Sequence, residues 1–165
     1  EYSIHHFASE IMPGQLATVM YRNFYKDEII DTSLCKSKLV PGDRCIYFSL
    51  LTNGKILCMQ EKMSAYRHIT DSGSSYSATT RYNFKSYEQL YQAFVKYATL
   101  HKNKECIKIA EYMVTYNILL GLKAGQLSCK EAFTKVLTIK NPVRSIYMCL
   151  QSVINRKFLK KKVFI

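Results

Sequence analysis

The segment GDRCIYFSLLTNGKILCMQEKMSAYRH, residues 42–68, places one acid, Asp43, at the head of an apolar run that ends in Tyr66-Arg67-His68. Pro41-Gly42 is a turn signal, so Asp43 sits where a helix N-cap would. The run that follows reads as a helix, with Asn53-Gly54 as its stop. Residues 55–60 and 63–67 then read as short strands. A helix set between short strands predicts a mixed α/β unit, and it leaves two readings of Asp43: a helix cap or a catalytic base.

Upstream, residues 16–22 are apolar and β-branched enough for a buried strand, and residues 23–30 suit a short helix. Downstream the texture changes near residue 83. Ser86 with Gln89 forms an S-x-x-Q capping box, followed by Tyr87, Leu90, Tyr91, Phe94 and Tyr97 at helical spacing. A second helix runs from about Glu105 to Leu120, carries Ile107, Ala110, Val114 and Ile118, and stops at Gly121 and Gly125. Ser128 with Glu131 is another capping box, and Asn141-Pro142 supplies N-cap and first turn for a last helix through Ile146, Tyr147, Leu150 and Ile154. These stripes read as packing surfaces. The predicted fold class is therefore α+β, predominantly helical: a small α/β unit over residues 1–83, then about four amphipathic helices over 84–165.

A chain of 165 residues suits one domain with a substantial core. With 48% hydrophobic and 22% charged residues it has the composition of a globular protein. Apolar runs break well before the roughly 20 positions of a spanning helix, and no secretory leader is visible. The chain starts at EYSIHH without Met, which reads as a cut through a larger protein or as a processed terminus. The cysteines at 35, 45, 58, 106, 129 and 149 are scattered, without CxxC or close Cys-His pairs, so they read as reduced core residues in a cytoplasmic protein.

The formal charge of +12 implies an anionic partner: nucleic acid, a phospholipid surface or a phosphorylated small molecule. The tail NRKFLKKKVFI carries five basic residues among bulky apolar ones. That pattern suits an anionic membrane surface or a phosphate backbone, or a solvated helix end. Nucleic-acid signatures are absent, so no nucleic acid is expected as partner. The phosphate-loop, dinucleotide, serine-hydrolase and zinc-protease motifs are absent too. The four aspartates, Asp27, Asp31, Asp43 and Asp71, include no Asp-x-Asp, so no metal site is assigned to this chain.

LATVMYRN (residues 16–23) followed by GDRCIYFSLLTNGKILCMQEKMSAYRHITDSGSSYS (residues 42–77) resembles the carboxy-terminal half of the family 2 glycosyltransferases, which have the GT-A fold. In that family a strand ending in Phe/Tyr-Arg is followed by an acid that opens a helix, a Gly-Lys-Ile turn, a strand close to MSVYRxH, and a Gly/Ser-rich loop. The match covers about residues 14–80 in order.

The resemblance implies an inverting transferase that moves a sugar from a nucleotide-diphosphate donor to a hydroxyl acceptor in bacterial surface polysaccharide synthesis. Asp43 matches the family's base, which takes the acceptor's proton as its oxygen attacks the anomeric carbon. The dipole and free N–H groups at a helix start favour a carboxylate there. Arg67 and His68 fall where the family brings basic groups to the diphosphate; a guanidinium can hold phosphate oxygens in a fork, or make a structural salt bridge. The family's order is Tyr-Arg-x-His, whereas this chain has Tyr66-Arg67-His68-Ile69, so the histidine has either moved by one position or lost its role. Ser72 and Ser74, in the loop TDSGSSYS (70–77), fit a segment that closes over phosphate or sugar, or a plain connector. Arg22 matches the end of the family's first strand.

By the same resemblance, the donor-binding half with its Asp-x-Asp lies upstream, and Mg or Mn is expected in the full-length enzyme. The isolated chain is then not fully active. The implied partners are the nucleotide sugar, a hydroxyl acceptor that can be lipid-linked, the inner membrane face, and a second copy of the chain as homo-oligomer. The competing reading is a basic helical protein-interaction module without catalysis.

Overall fold

The computed structural model describes residues 1–13, 20, 31–37, 39, 41–58 and 82–160. Seven helices lie among these residues: α1 (Ile4–Ala8), α2 (Ser33–Lys36), α3 (Gly42–Asn53), α4 (Phe84–Leu100), α5 (Lys104–Lys123), α6 (Cys129–Leu137) and α7 (Pro142–Lys157). α5 is the axis. It packs most extensively on α4 and also meets α1, α6 and α7, while α3 packs on α1, α2 and α4 and its Thr52 carbonyl accepts from Asn103 Nδ2 at the start of α5. Burial on several sides explains its sequence, in which Ile109, Ala110, Tyr112, Met113, Val114 and Ile118 are all covered.

The expected mixed α/β unit is corrected by the structure: the described residues contain no strand and no sheet. The sole pairing among them is an isolated antiparallel bridge in which the Tyr2 N–H donates to the Ile56 carbonyl at 2.9 Å. Residues 55–58 do alternate, with Ile56 and Cys58 half-buried and Lys55 and Leu57 exposed. Alternation alone does not make a strand, because ladder hydrogen bonds need a neighbouring strand. The strands expected at 16–22 and 63–67 and the helix expected at 23–30 lie outside the described residues, apart from Met20.

The helical half follows the sequence closely where local chemistry decides. Ser128 accepts from the Glu131 N–H at 3.3 Å, and Glu131 Oε2 accepts from the Ser128 N–H at 2.8 Å, so the expected capping box is formed. Asn141 and Pro142 open α7 as predicted. Two boundaries differ. Asn83, not Ser86, caps α4, its Oδ1 accepting the Ser86 N–H at 3.0 Å. Gly121 lies inside α5, and the chain turns at Gly125 with φ of 67°.

Gly121 has a packing reason to be glycine. A Cβ there would stand 2.7 Å from Phe84 Cδ2, so the missing side chain is what lets Phe84 settle at the start of α4. Asn117 and Gln126 complete that junction. Asn117 Oδ1 accepts from the Tyr82 hydroxyl at 2.7 Å, and Gln126 Oε1 accepts from the Phe84 N–H at 2.8 Å.

The core contains residues from both sides of residue 83. At its centre Phe48 of α3 stacks on Phe94 of α4, with centroids 4.1 Å apart and planes within 3°, and Phe7 of α1 lies 5.9 Å from each. All three are fully covered, and burying each stabilises by roughly 1.5–3 kcal/mol.

α7 is oriented contrary to the expectation that its stripe packs inward. Ser145, Cys149 and Ser152 face the protein, while Val143, Tyr147, Leu150, Ile154 and Phe158 are all more than half exposed. The reason lies on α5, whose facing groups are polar. Glu111 pairs with Arg144, the Tyr112 hydroxyl donates to Ser152 Oγ at 3.1 Å, and Arg156 Nη1 donates to the Tyr116 hydroxyl at 3.3 Å.

Candidate functional site

Asp43 lies in the first turn of α3, one residue after Gly42. The N-cap is Pro41, whose extended backbone (φ −79°, ψ 133°) leads into the helix, so the reading of Asp43 as the N-cap residue is corrected. A proline fits because it brings the chain in extended. The Asp43 carboxylate still serves the helix start, Oδ1 accepting the Arg44 N–H at 2.8 Å. Its other oxygen takes no hydrogen bond from the described residues, and the side chain is half-buried at the molecular edge.

The next residue, Arg44, is held among aromatic rings. The Arg44 guanidinium lies 5.3 Å from the centre of the Phe7 ring and 5.8 Å from that of Tyr91, which anchors it by cation–π attraction. Burial pushes the Tyr91 hydroxyl up to about 12 despite the opposing effect of Arg44. Tyr47, one turn along α3, is also pushed up to about 12, first by burial and then by the Asp43 charge. Both phenols therefore remain neutral at ordinary pH, and of the two it is Tyr47 that feels the Asp43 charge.

Arg67, His68, Ser72 and Ser74, the residues expected at the diphosphate, lie outside the described residues, as does Arg22. The described residues contain no group of three or more His, Cys, Asp and Glu side chains able to hold a metal ion. No helix among them is long and apolar enough to cross a membrane.

A second polar cluster was invisible in the sequence. The Tyr97 hydroxyl of α4 donates to the Asp31 carbonyl at 2.7 Å, accepts from Asn53 Nδ2 at 2.9 Å and lies 2.8 Å from Ser49 Oγ. His101 packs against Tyr97 with ring centroids 4.4 Å apart and planes tilted by 41°, and it brings Nε2 within 3.4 Å of Asp31 Oδ2. The Ser33 N–H on its carboxylate holds Asp31 below the usual range, with help from the Ser33 and His101 side chains. These groups mostly satisfy one another, so the cluster ties the entry of α2 to α3 and α4. His5 and His6 also have partners: Glu105 Oε1 of α5 lies 2.9 Å from His5 Nε2, and Ser3 Oγ lies 2.7 Å from His6 Nδ1.

A cleft lined by Ser37, Leu39, Glu88, Gln92 and Lys96 opens between the end of α2 and the outer face of α4, and it does not include Asp43. No protein-family model, curated protein or solved structure matches the chain.

Proposed function

We propose that this chain supplies the acceptor side of an inverting sugar transfer, with Asp43 as the base. Asp43 takes the proton of an acceptor hydroxyl while that oxygen bonds to the anomeric carbon, and the bond from that carbon to the nucleoside diphosphate breaks on the opposite face. Arg67, His68, Ser72 and Ser74 hold the departing diphosphate, and the donor-binding half of the enzyme lies upstream. The proposal concerns this chemistry and does not include a sheet architecture.

The observation that supports the reading is the extent of α3. It runs from Gly42 to Asn53, with Asp43 in its first turn and one carboxylate oxygen without a hydrogen bond from the described residues, and it ends where Gly54, Lys55 and Ile56 begin in extended chain. That is the segment the transferase resemblance requires between its acid and its turn.

The test is Asp43→Asn in the protein containing this chain together with its donor-binding half. Transfer of labelled sugar from UDP-, GDP- and dTDP-sugars to a lipid extract should fall by about 10²–10⁴-fold, the usual contribution of a general base. Donor affinity should stay within about threefold, since the acid acts on the acceptor. Wild-type turnover in Asp43→Asn refutes the assignment. The competing reading, an interaction module without catalysis, is favoured by the outward apolar face of α7 and predicts no transfer by either protein.

A further inference from the structure

α7 carries its apolar stripe on the wrong side for a core helix. Val143, Tyr147, Leu150, Ile154 and Phe158 recur at helical spacing on the face opposite Ser145, Cys149 and Ser152, and they are 80%, 64%, 60%, 51% and 76% exposed. Ile146 and Val153 widen the same stripe. A contiguous apolar face on a surface helix marks a site that something covers.

The charge around the stripe selects the occupant. From Ala132 to Ile165 the sequence has eight Lys or Arg residues and no Asp or Glu. Lys157 falls within the stripe near its carboxy-terminal end and Lys160 follows just beyond; both are exposed and form no ion pair among the described residues. A second copy of the chain would bring these like charges together. An anionic bilayer takes both features at once: apolar side chains enter the boundary between headgroups and acyl chains, while long basic side chains extend their heads to the phosphates. With no described helix able to span, α7 would lie in the plane of the interface.

We propose that α7, with Lys160 just beyond it, forms an interfacial anchor for an anionic phospholipid surface, with Tyr147, Leu150, Ile154 and Phe158 inserted and Lys157 and Lys160 at the phosphates. The anchor stands on α7 alone and does not depend on the sugar-transfer reading.

The 165-residue chain should co-sediment with phosphatidylcholine vesicles containing about 30% phosphatidylglycerol and bind pure phosphatidylcholine at least tenfold more weakly. Raising the salt should weaken binding. Leu150→Glu with Ile154→Glu should reduce binding at least tenfold without lowering thermal stability, because both side chains face solvent. Lys157→Gln and Lys160→Gln should each cost roughly fivefold. Three results overturn the proposal: no sedimentation with anionic vesicles at low salt, full binding by the Leu150→Glu, Ile154→Glu variant, or dimerisation through α7 that Leu150→Glu abolishes while vesicle binding survives.

Discussion

Glu111 of α5 and Arg144 of α7 form an ion pair whose two ends differ in exposure, the Glu111 side chain 2% accessible and that of Arg144 36%. Asn141 Nδ2 approaches the same carboxylate oxygen at 3.5 Å, while Glu111 Oε1 has no hydrogen-bond partner among the described residues. The pair fixes which side of α7 meets the protein, and so which side is left outward.

Removing only the cation would leave a buried carboxylate uncompensated. Breaking a fully buried pair costs about 3–5 kcal/mol, and the exposure of Arg144 moves the expectation to the lower end, about 2–3 kcal/mol for Arg144→Ala. Glu111→Leu with Arg144→Ala should be less destabilised than Arg144→Ala alone, because no buried charge remains. Urea denaturation of the single and double variants measures this coupling. Additive losses would mean that the pair does not couple α5 to α7.

Gly121→Ala sets helix propensity against packing. In an open helix the change would stabilise by up to about 1 kcal/mol. Here the added Cβ meets Phe84 Cδ2 at 2.7 Å and Leu127 Cδ1 at 3.1 Å, and the Phe84 ring is buried. Overpacking should dominate, for a net loss of about 1–2 kcal/mol. Gly121→Ala combined with Phe84→Leu should lose less than the sum of the two single changes. Thermal melts of the three variants decide it.

The alkaline limit of stability follows from the tyrosines. Burial, the leading cause in each case, pushes Tyr47, Tyr82 and Tyr91 up to about 12 and raises Tyr2 and Tyr112 further. A phenol whose folded value lies above its unfolded value near 10 contributes stability that is complete below pH 10. That contribution is lost as pH rises through the folded values. Stability should be flat with respect to these groups up to about pH 10 and decline from there to 12 and above. Absorbance near 295 nm should show a delayed set of tyrosines whose ionisation coincides with loss of helical circular dichroism. Normal titration of all tyrosines with the helices intact would contradict the burial of these rings.

Where a feature depended on neighbouring residues, the sequence was readable. The Ser128–Glu131 box, the Asn141-Pro142 start and the Asn53-Gly54 stop need only local atoms, and each falls where expected. Ser86 carried a valid capping pattern, yet Asn83 three residues earlier took the role. The helix extends back because Phe84 has a seat against Gly121, which lies in another helix. The contact between Asp31 and His101 spans seventy positions and left no local signal.

The sequence by itself determined the helical half of this protein, its strongly basic end and the placement of Asp43 at the start of a helix, because periodicity, capping and composition act over a few residues. It did not determine that, among the described residues, 55–58 pair through one bridge and form no sheet, since that depends on which distant segment offers hydrogen bonds. Nor did it determine which face of α7 turns inward. Amphipathicity alone favours burial of Leu150 and Ile154; the polar surface of α5, with Glu111, Tyr112 and Tyr116, reversed that choice. The tertiary structure thus left exposed the stripe that the proposed lipid anchor requires.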